Sequence, residues 1–201
     1  RYVYCAAAVS ALLGTREWVD TGRAADYIRR SMSYEGGFGL APEQEAHGGS
    51  TYTAVAAAEL LGASGAVIGP EFGGAAADRG GRRGELLSWC ARRQDGASGG
   101  IRGRPGKDPD SCYSWWVGAS LELLGGAGFL DGTKLRAFLL RCQGGKGGFS
   151  KHPGGPPDIL HTFYSICGLS LLKEPGVASV DCCLGISARA AAGGFRGAQP
   201  K

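Results

Sequence analysis

Of the 201 residues only one is methionine, Met32, and only three are histidine, so chemistry that needs an imidazole has few places to sit. Charge of either sign is scarce in blocks. The 22 lysines and arginines against 18 acidic residues leave a net charge of +4, spread along the chain. With no basic block and no RNA-binding aromatic motif, a nucleic-acid partner is not expected. No apolar run reaches the roughly 20 residues of a bilayer-spanning helix. The opening stretch "YVYCAAAVSALL" (2–13) is too short, and it lacks a basic leader with a cleavage site. A soluble, cytoplasmic protein without stable membrane insertion is therefore expected. Cysteine occurs seven times, an odd number, and no CxxC pair is present, which excludes a disulfide framework or a zinc-finger spacing. Cys5, Cys90, Cys142 and Cys167 lie in alanine-, leucine- or aromatic-rich stretches and read as reduced thiols packed as small hydrophobes. The chain starts at Arg1, and the expectation is that residues preceding it are missing.

What is abundant is glycine, with 37 residues, and it recurs in phase. "EGGFGL" (35–40), "SGGIRG" (98–103), "KGGFSK" (146–151) and "AGGFRG" (192–197) share two glycines, an apolar residue and a turn. Gly100 to Gly148 is 48 residues and Gly148 to Gly194 is 46, a period that marks a repeated supersecondary unit. Apolar residues at helical spacing, such as Tyr113, Trp116, Val117, Leu121 and Leu124, place a helix on each side of each turn. The expected helices run over 84–94, 110–125, 131–143 and 156–172, with Asp110 or Ser111 as an N-cap and Gly125 as a stop. Nothing reads as a run of strands. The expected fold is all-α, an array of helical hairpins forming either an open solenoid or a closed α/α toroid. Chemistry-bearing residues cluster just after the glycine pairs, where inner helices begin. Such clustering favours the toroid, which gathers equivalent helix ends around one cavity.

Three segments share that position: "EAHGGSTYTA" (45–54), "RPGKDPDSCYSWW" (104–116) and "PPDILHTFYS" (156–165). Asp110, Cys112 and His161 offer a carboxylate, a thiolate and an imidazole, a donor set zinc accepts with one position left open, as in catalytic sites. Taken alone they read equally as a helix cap, a core thiol and a satisfied polar histidine. Arg104, Lys107, His47 and Tyr113 form a second set suited to a phosphate or diphosphate. Gly48 and Gly49 would let backbone approach such an anion, and Trp115 and Trp116 would wall both sites. A solvated basic loop is the alternative for Arg104 and Lys107.

At these residues the sequence resembles the β subunits of protein prenyltransferases. "EAHGGST", "GRPGK", "DPDS", "CYSWW", "GGFSKHP" and "PDILH" stand in that family's order and spacing from Arg1 to about Leu172. The resemblance implies an α/α toroid over residues 1–180 whose first part is missing, followed by a divergent tail, 181–201. It implies one Zn2+ on Asp110, Cys112 and His161, with Lys107 and Tyr113 completing the catalytic group. It puts an isoprenoid diphosphate at His47, Gly48, Gly49, Arg104, Pro105, Gly106, Lys107, Tyr113, Ser114, Trp115, Trp116 and Lys151. Arg1 and Leu160 are implied to meet the peptide substrate. A helical-hairpin α subunit is the implied partner in a heterodimer. Within the family, "RYVYCAAAVSALLG", "YIRRSMSY" and "DILHTFYSICGLSLL" resemble the type I branch. That branch transfers a geranylgeranyl group from its diphosphate to the cysteine of a C-terminal CaaX motif, on proteins such as small GTPases. Leu160 stands where the farnesyl-transferring branch has an aromatic residue. Lys151 stands where that branch has an aspartate, implying that Mg2+ is not required. Farnesyl-transferring and Rab-specific subunits remain alternatives. So do a terpene cyclase, whose DxDD acid motif "DPDS" (108–111) only half matches, and a non-catalytic toroid module.

Overall fold

The computed structural model describes residues 1–69 and 81–193. The fourth glycine repeat lies, from Gly194 onward, outside the described residues, as does the end of the tail. The helices are α1 (Tyr2–Leu13), α2 (Thr21–Arg30), α3 (Gly48–Leu60), α4 (Ser64–Val67), α5 (Arg82–Ala91), α6 (Tyr113–Leu123), α7 (Gly132–Arg141), α8 (Ile159–Leu171) and α9 (Ala188–Gly193). Helices α1, α3, α6 and α8 pack side by side in that order as an inner row, and α2, α5 and α7 lie outside against α3, α6 and α8. This is the α/α toroid architecture.

Composition decides which helices go inside. Helix α3, "GGSTYTAVAAAEL", buries ten of its thirteen residues and has only Glu59 as a charge. Helix α6 is likewise buried nearly all round, so the single apolar stripe expected of it is replaced by contacts on several sides. The outer α2 and α7 bury one stripe each, Ile28 in α2 and Leu135, Phe138 and Leu139 in α7. Both begin on an aspartate cap: Asp20 accepts from the Arg23 N–H at 2.9 Å, and Asp131 from the Lys134 N–H at 3.0 Å.

The expected helices are present but shorter. Helix α6 starts at Tyr113 on Cys112, not on Asp110 or Ser111, because Asp110 turns its carboxylate back onto the Cys112 N–H at 2.9 Å. It ends at Leu123, and Gly125 follows with φ 67°. One short hairpin was not expected: β1 (Phe149–Ser150) pairs antiparallel with β2 (Pro157–Asp158). Cys90, Cys142 and Cys167 are buried as expected, whereas Cys5 is exposed.

The glycine pairs serve as seats. Gly36, at φ 95°, and Gly37 leave room for α5: a Cβ on them would lie 2.8 Å from the Glu85 carbonyl oxygen and 2.7 Å from the Trp89 ring. One repeat later Gly99, at φ 79°, and Gly100 meet the Lys134 backbone and the Phe138 ring of α7 in the same way, at 2.5 and 2.7 Å. Each turn therefore rests on the outer helix of the following hairpin. Gln94 strengthens the second seat, donating to the Gly99 and Asp131 carbonyls and accepting from the Asp131 N–H at 2.8 Å.

The segment after α8 folds back onto the inner row. The Cys183 carbonyl accepts from the hydroxyls of Tyr4, at 2.9 Å, and Tyr52, at 3.1 Å, and Val180 and Cys182 pack by Trp115 and Cys167.

Candidate metal and anion site

The inner helices start at one end of the row, and the loops that precede them bring the sparse polar chemistry together. Segment 110–112 is tied to the next repeat: the Ser111 N–H donates to the Lys151 carbonyl at 3.0 Å and its hydroxyl to the Ser150 carbonyl at 2.8 Å. This holds Asp110 and Cys112 against the start of α8, where His161 sits in the first turn. One ligand atom each from Asp110, Cys112 and His161 lie within 4.8 Å of one another, and His161 Nε2 is 3.3 Å from Asp110 Oδ1. A tetrahedral ion with bonds of about 2.0–2.3 Å needs donors roughly 3.3–3.8 Å apart, so a small contraction fits the three around one metal.

Asp158 completes the arrangement. Its Oδ1 caps α8 by accepting the His161 N–H at 2.8 Å, and its Oδ2 accepts from Nδ1 of the same residue at 2.6 Å. The ring therefore carries its proton on Nδ1 and leaves the Nε2 lone pair available to a metal ion. The His161 backbone N–H and then its ring hold the Asp158 carboxyl below the usual range. The Cys112 thiol is pushed up, first by burial and then by Asp110. Without a cation, then, this cysteine stays protonated at neutral pH; a bound divalent ion would reverse that balance.

Beside the triad lies a pocket of about 330 Å³ lined by His47, Gly103, Arg104, Lys107, Asp108, Asp110, Tyr113, Lys151 and His152. His47 caps α3: its Nδ1 accepts the Gly49 N–H at 3.1 Å, so Nε2 holds the proton and donates to the Tyr113 hydroxyl oxygen at 2.9 Å. With no acceptor among the described residues, the phenolic O–H is left to donate into the pocket. Burial, then Cys112 and Asp110, push Tyr113 up to about 12, keeping that proton in place, and burial, then Arg104, lower His47 so that it stays neutral. Arg104 is ion-paired with Glu45. Lys151 Nζ lies 3.8 Å from Asp110 Oδ2. A larger cleft of about 570 Å³ adjoins, lined by Arg1, Leu40, Gln44, Glu45, His47, Gly49, Ser50, Thr53, Arg104 and Trp116.

The remaining site candidates are distributed unevenly. Pro105 and Gly106 form an exposed turn, and Leu160, 52% exposed, flanks His161 but lines neither cavity. Gly48 and Gly49 do not offer open backbone: the Gly48 N–H donates to the Gly103 carbonyl at 2.8 Å and the Gly49 N–H to His47. Gly48 is small because the Tyr113 ring packs over it. Ser114 faces α8, not the cleft, its hydroxyl donating to the Ser111 carbonyl at 2.6 Å. Trp115 is buried against Tyr52 and Cys167, so only Trp116 of the pair reaches the cleft. Two residues escaped the sequence reading. Asp158 is signalled by its place three residues before His161; His152, the third histidine, has no spacing signal at all.

Comparison with known proteins bears on the family and the fold. Residues 1–186 match the prenyltransferase alpha-alpha toroid domain. The geranylgeranyl transferase type-1 subunit beta of Arabidopsis thaliana is 42% identical over 203 residues, covering 96% of this chain and 50% of that protein. Its counterpart from Dictyostelium discoideum is 37% identical, with 95% and 50% covered. The protein farnesyltransferase subunit beta of Schizosaccharomyces pombe is 34% identical, with 85% and 44% covered. Among solved structures, Candida albicans protein geranylgeranyltransferase-I complexed with GGPP superposes with a TM-score of 0.81 at 22% identity, over 97% of this chain and 55% of that one, a likeness of fold. The chain thus spans about half the length of the curated relatives it matches. No helix among the described residues is long and apolar enough to cross a membrane. With a matching domain model over nearly its whole length and a row of helical hairpins in the fold, the chain belongs to the prenyltransferase alpha-alpha toroid family.

Proposed function

We propose that this chain is part of the β subunit of a zinc-dependent type I protein geranylgeranyltransferase, working with a helical α subunit on geranylgeranyl diphosphate and on proteins ending in a CaaX motif. The observation that carries the reading is the convergence of Asp110, Cys112 and His161 beside a pocket lined by His47, Arg104, Lys107 and Tyr113. A zinc ion held by those three side chains supplies, when bound, an open position at which a substrate cysteine is kept as its thiolate. The chain's own residues do the rest. Asp158 fixes the ring of His161. Lys107, Arg104 and the free O–H of Tyr113 neutralise charge that develops on the departing diphosphate. The 570 Å³ cleft, with Trp116 on its wall, receives hydrocarbon and keeps water from the reacting carbon. Leu160, apolar beside the metal histidine, favours CaaX sequences ending in Leu or Phe, and Lys151 supplies fixed charge where a mobile Mg2+ would otherwise serve.

The test is metal content and product analysis of the complete β chain reconstituted with an α subunit. Asp110→Ala, Cys112→Ala and His161→Ala should each lose most of their zinc and nearly all transfer. Offered both diphosphates and a Leu-ending CaaX peptide, the wild type should form mainly the geranylgeranyl thioether. Full zinc occupancy in all three variants would defeat the metal assignment, and a mainly farnesylated product would defeat the type I assignment.

A further inference from the structure

Two of the three histidines are occupied by the site as described, His47 with Tyr113 and His161 with Asp158; the third, His152, sits on the same pocket. It lies on the turn between β1 and β2, and its position is fixed from both ends. Its carbonyl accepts from the Ser150 hydroxyl at 2.6 Å and from the Gly155 N–H at 3.0 Å. Its ring Nδ1 is 2.8 Å from the Pro109 carbonyl oxygen. A carbonyl only accepts, so Nδ1 bears the proton and donates. Nε2 is then the one polar atom of the ring with no partner among the described residues. The ring lines the 330 Å³ pocket together with Lys107, Lys151, Arg104 and Tyr113.

We infer that His152 is a further anion-binding residue, contacting the diphosphate through Nε2 while Nδ1–H stays on Pro109. This deepens the function proposed above and rests on it. The charged and titratable groups that line the pocket with the ring are Lys151, Lys107, Asp108, Arg104, His47, Tyr113 and Asp110. Asp110 accepts from the Cys112 N–H and lies 3.8 Å from Lys151 Nζ, so the groups that remain to face a ligand are mostly donors. With both nitrogens protonated, the ring donates Nδ1–H to the Pro109 carbonyl and Nε2–H to a phosphate oxygen. The anchored Nδ1–H sets the angle at which Nε2–H is presented.

Amide substitutions separate anion binding from a role in merely propping Pro109. The asparagine amide nitrogen falls near Nδ1 and preserves the Pro109 bond while removing Nε2. The glutamine nitrogen reaches nearer Nε2 and gives up Pro109. In the reconstituted heterodimer, inorganic diphosphate should bind His152→Asn and His152→Ala about tenfold more weakly than wild type, with zinc content unchanged, and His152→Gln should fall between. If His152→Asn binds like wild type, or all three variants do, the inference fails, and a loss of zinc in His152→Ala alone would assign the ring to propping. Lys107→Ala is the control: if it too leaves diphosphate binding unchanged, the pocket is not the diphosphate site and the underlying reading falls with it.

Discussion

Replacing Asp158 by serine separates two jobs that one carboxylate performs at the start of α8. Oδ1 caps the helix through the His161 N–H at 2.8 Å, and Oδ2 orients the His161 ring through Nδ1 at 2.6 Å. Serine is an equally good cap but is too short to reach the ring. Loss of such a partner behind a metal-ligating histidine weakens metal binding by about 10- to 100-fold. At free zinc ten times the wild-type Kd, occupancy should drop from about 90% to between about 50% and 10% by the same factor. The thermal midpoint should barely move in Asp158→Ser, whereas Asp158→Ala should lose both metal affinity and helix stability. The pH dependence follows from the sign of the shift. Hydrogen bonds from His161 lower the Asp158 pKa, so its contribution is present above the ordinary carboxylate range and fades as pH falls through the depressed value. Wild type and Asp158→Ser should therefore differ by a constant factor from pH 6 to 8 and converge in acid. The assay is competition of the complete heterodimer against a zinc-buffering chromophore. A zinc Kd for Asp158→Ser within twofold of wild type would show that the ring needs no such support.

Arg104→Ala and Lys107→Ala should each lower kcat/KM for the isoprenoid diphosphate by roughly 10- to 100-fold without loss of zinc; a change confined to the peptide KM would move both residues to the other substrate. Wild-type transfer should survive magnesium chelation, and Lys151→Asp should slow the magnesium-free reaction and create a magnesium response; an orders-of-magnitude fall in the wild type on chelation would contradict the fixed-charge role. Buried thiols should limit alkaline stability: burial pushes Cys90 up to about 12 and Cys142 and Cys167 to about 11. Their protonated forms are favoured in the fold, so that stability is fully present below the unfolded thiol pKa of about 8.5 and is lost as pH rises through the folded values. A melting profile that stays flat from pH 8 to 11 would refute this.

The repeat was legible because glycine pairs and apolar spacing are local signals, and both survive folding unchanged. Helix ends were less so. Residues 110–112 read as helix from their flanks, but the hydrogen bond from the Cys112 N–H to Asp110 keeps them out of it, and this is what brings both side chains to the cluster. Trp115 and Trp116 were read together from their adjacency. Neighbours on a helix point about 100° apart, so one had to face the core, and helical phase alone would have said so. The packing of Val180, Cys182 and Cys183 on the inner row was not legible, since it depends on phenols at Tyr4 and Tyr52 far away in sequence meeting one backbone carbonyl. His152 escaped for the same reason: its anchor is a carbonyl, and carbonyls leave no trace in a sequence.

The glycine seats bear on how such rings can be recombined. Gly37 and Gly100 place the loops leading to His47 and to Arg104 on Trp89 and Phe138, side chains that belong to the hairpins that follow. A hairpin cut at its sequence boundaries would carry its loop away from the surface that shapes it. The transferable piece is instead out of step with the repeat by half a unit: a glycine turn, the inner helix after it and the next outer helix. Chimeras joined within α5 or α7 would split a loop from its support, whereas joints placed just after those helices would keep each with its own. In this chain the outer wall and the inner rim form one block, since Phe138 on the outer wall seats Gly100, four residues before Arg104.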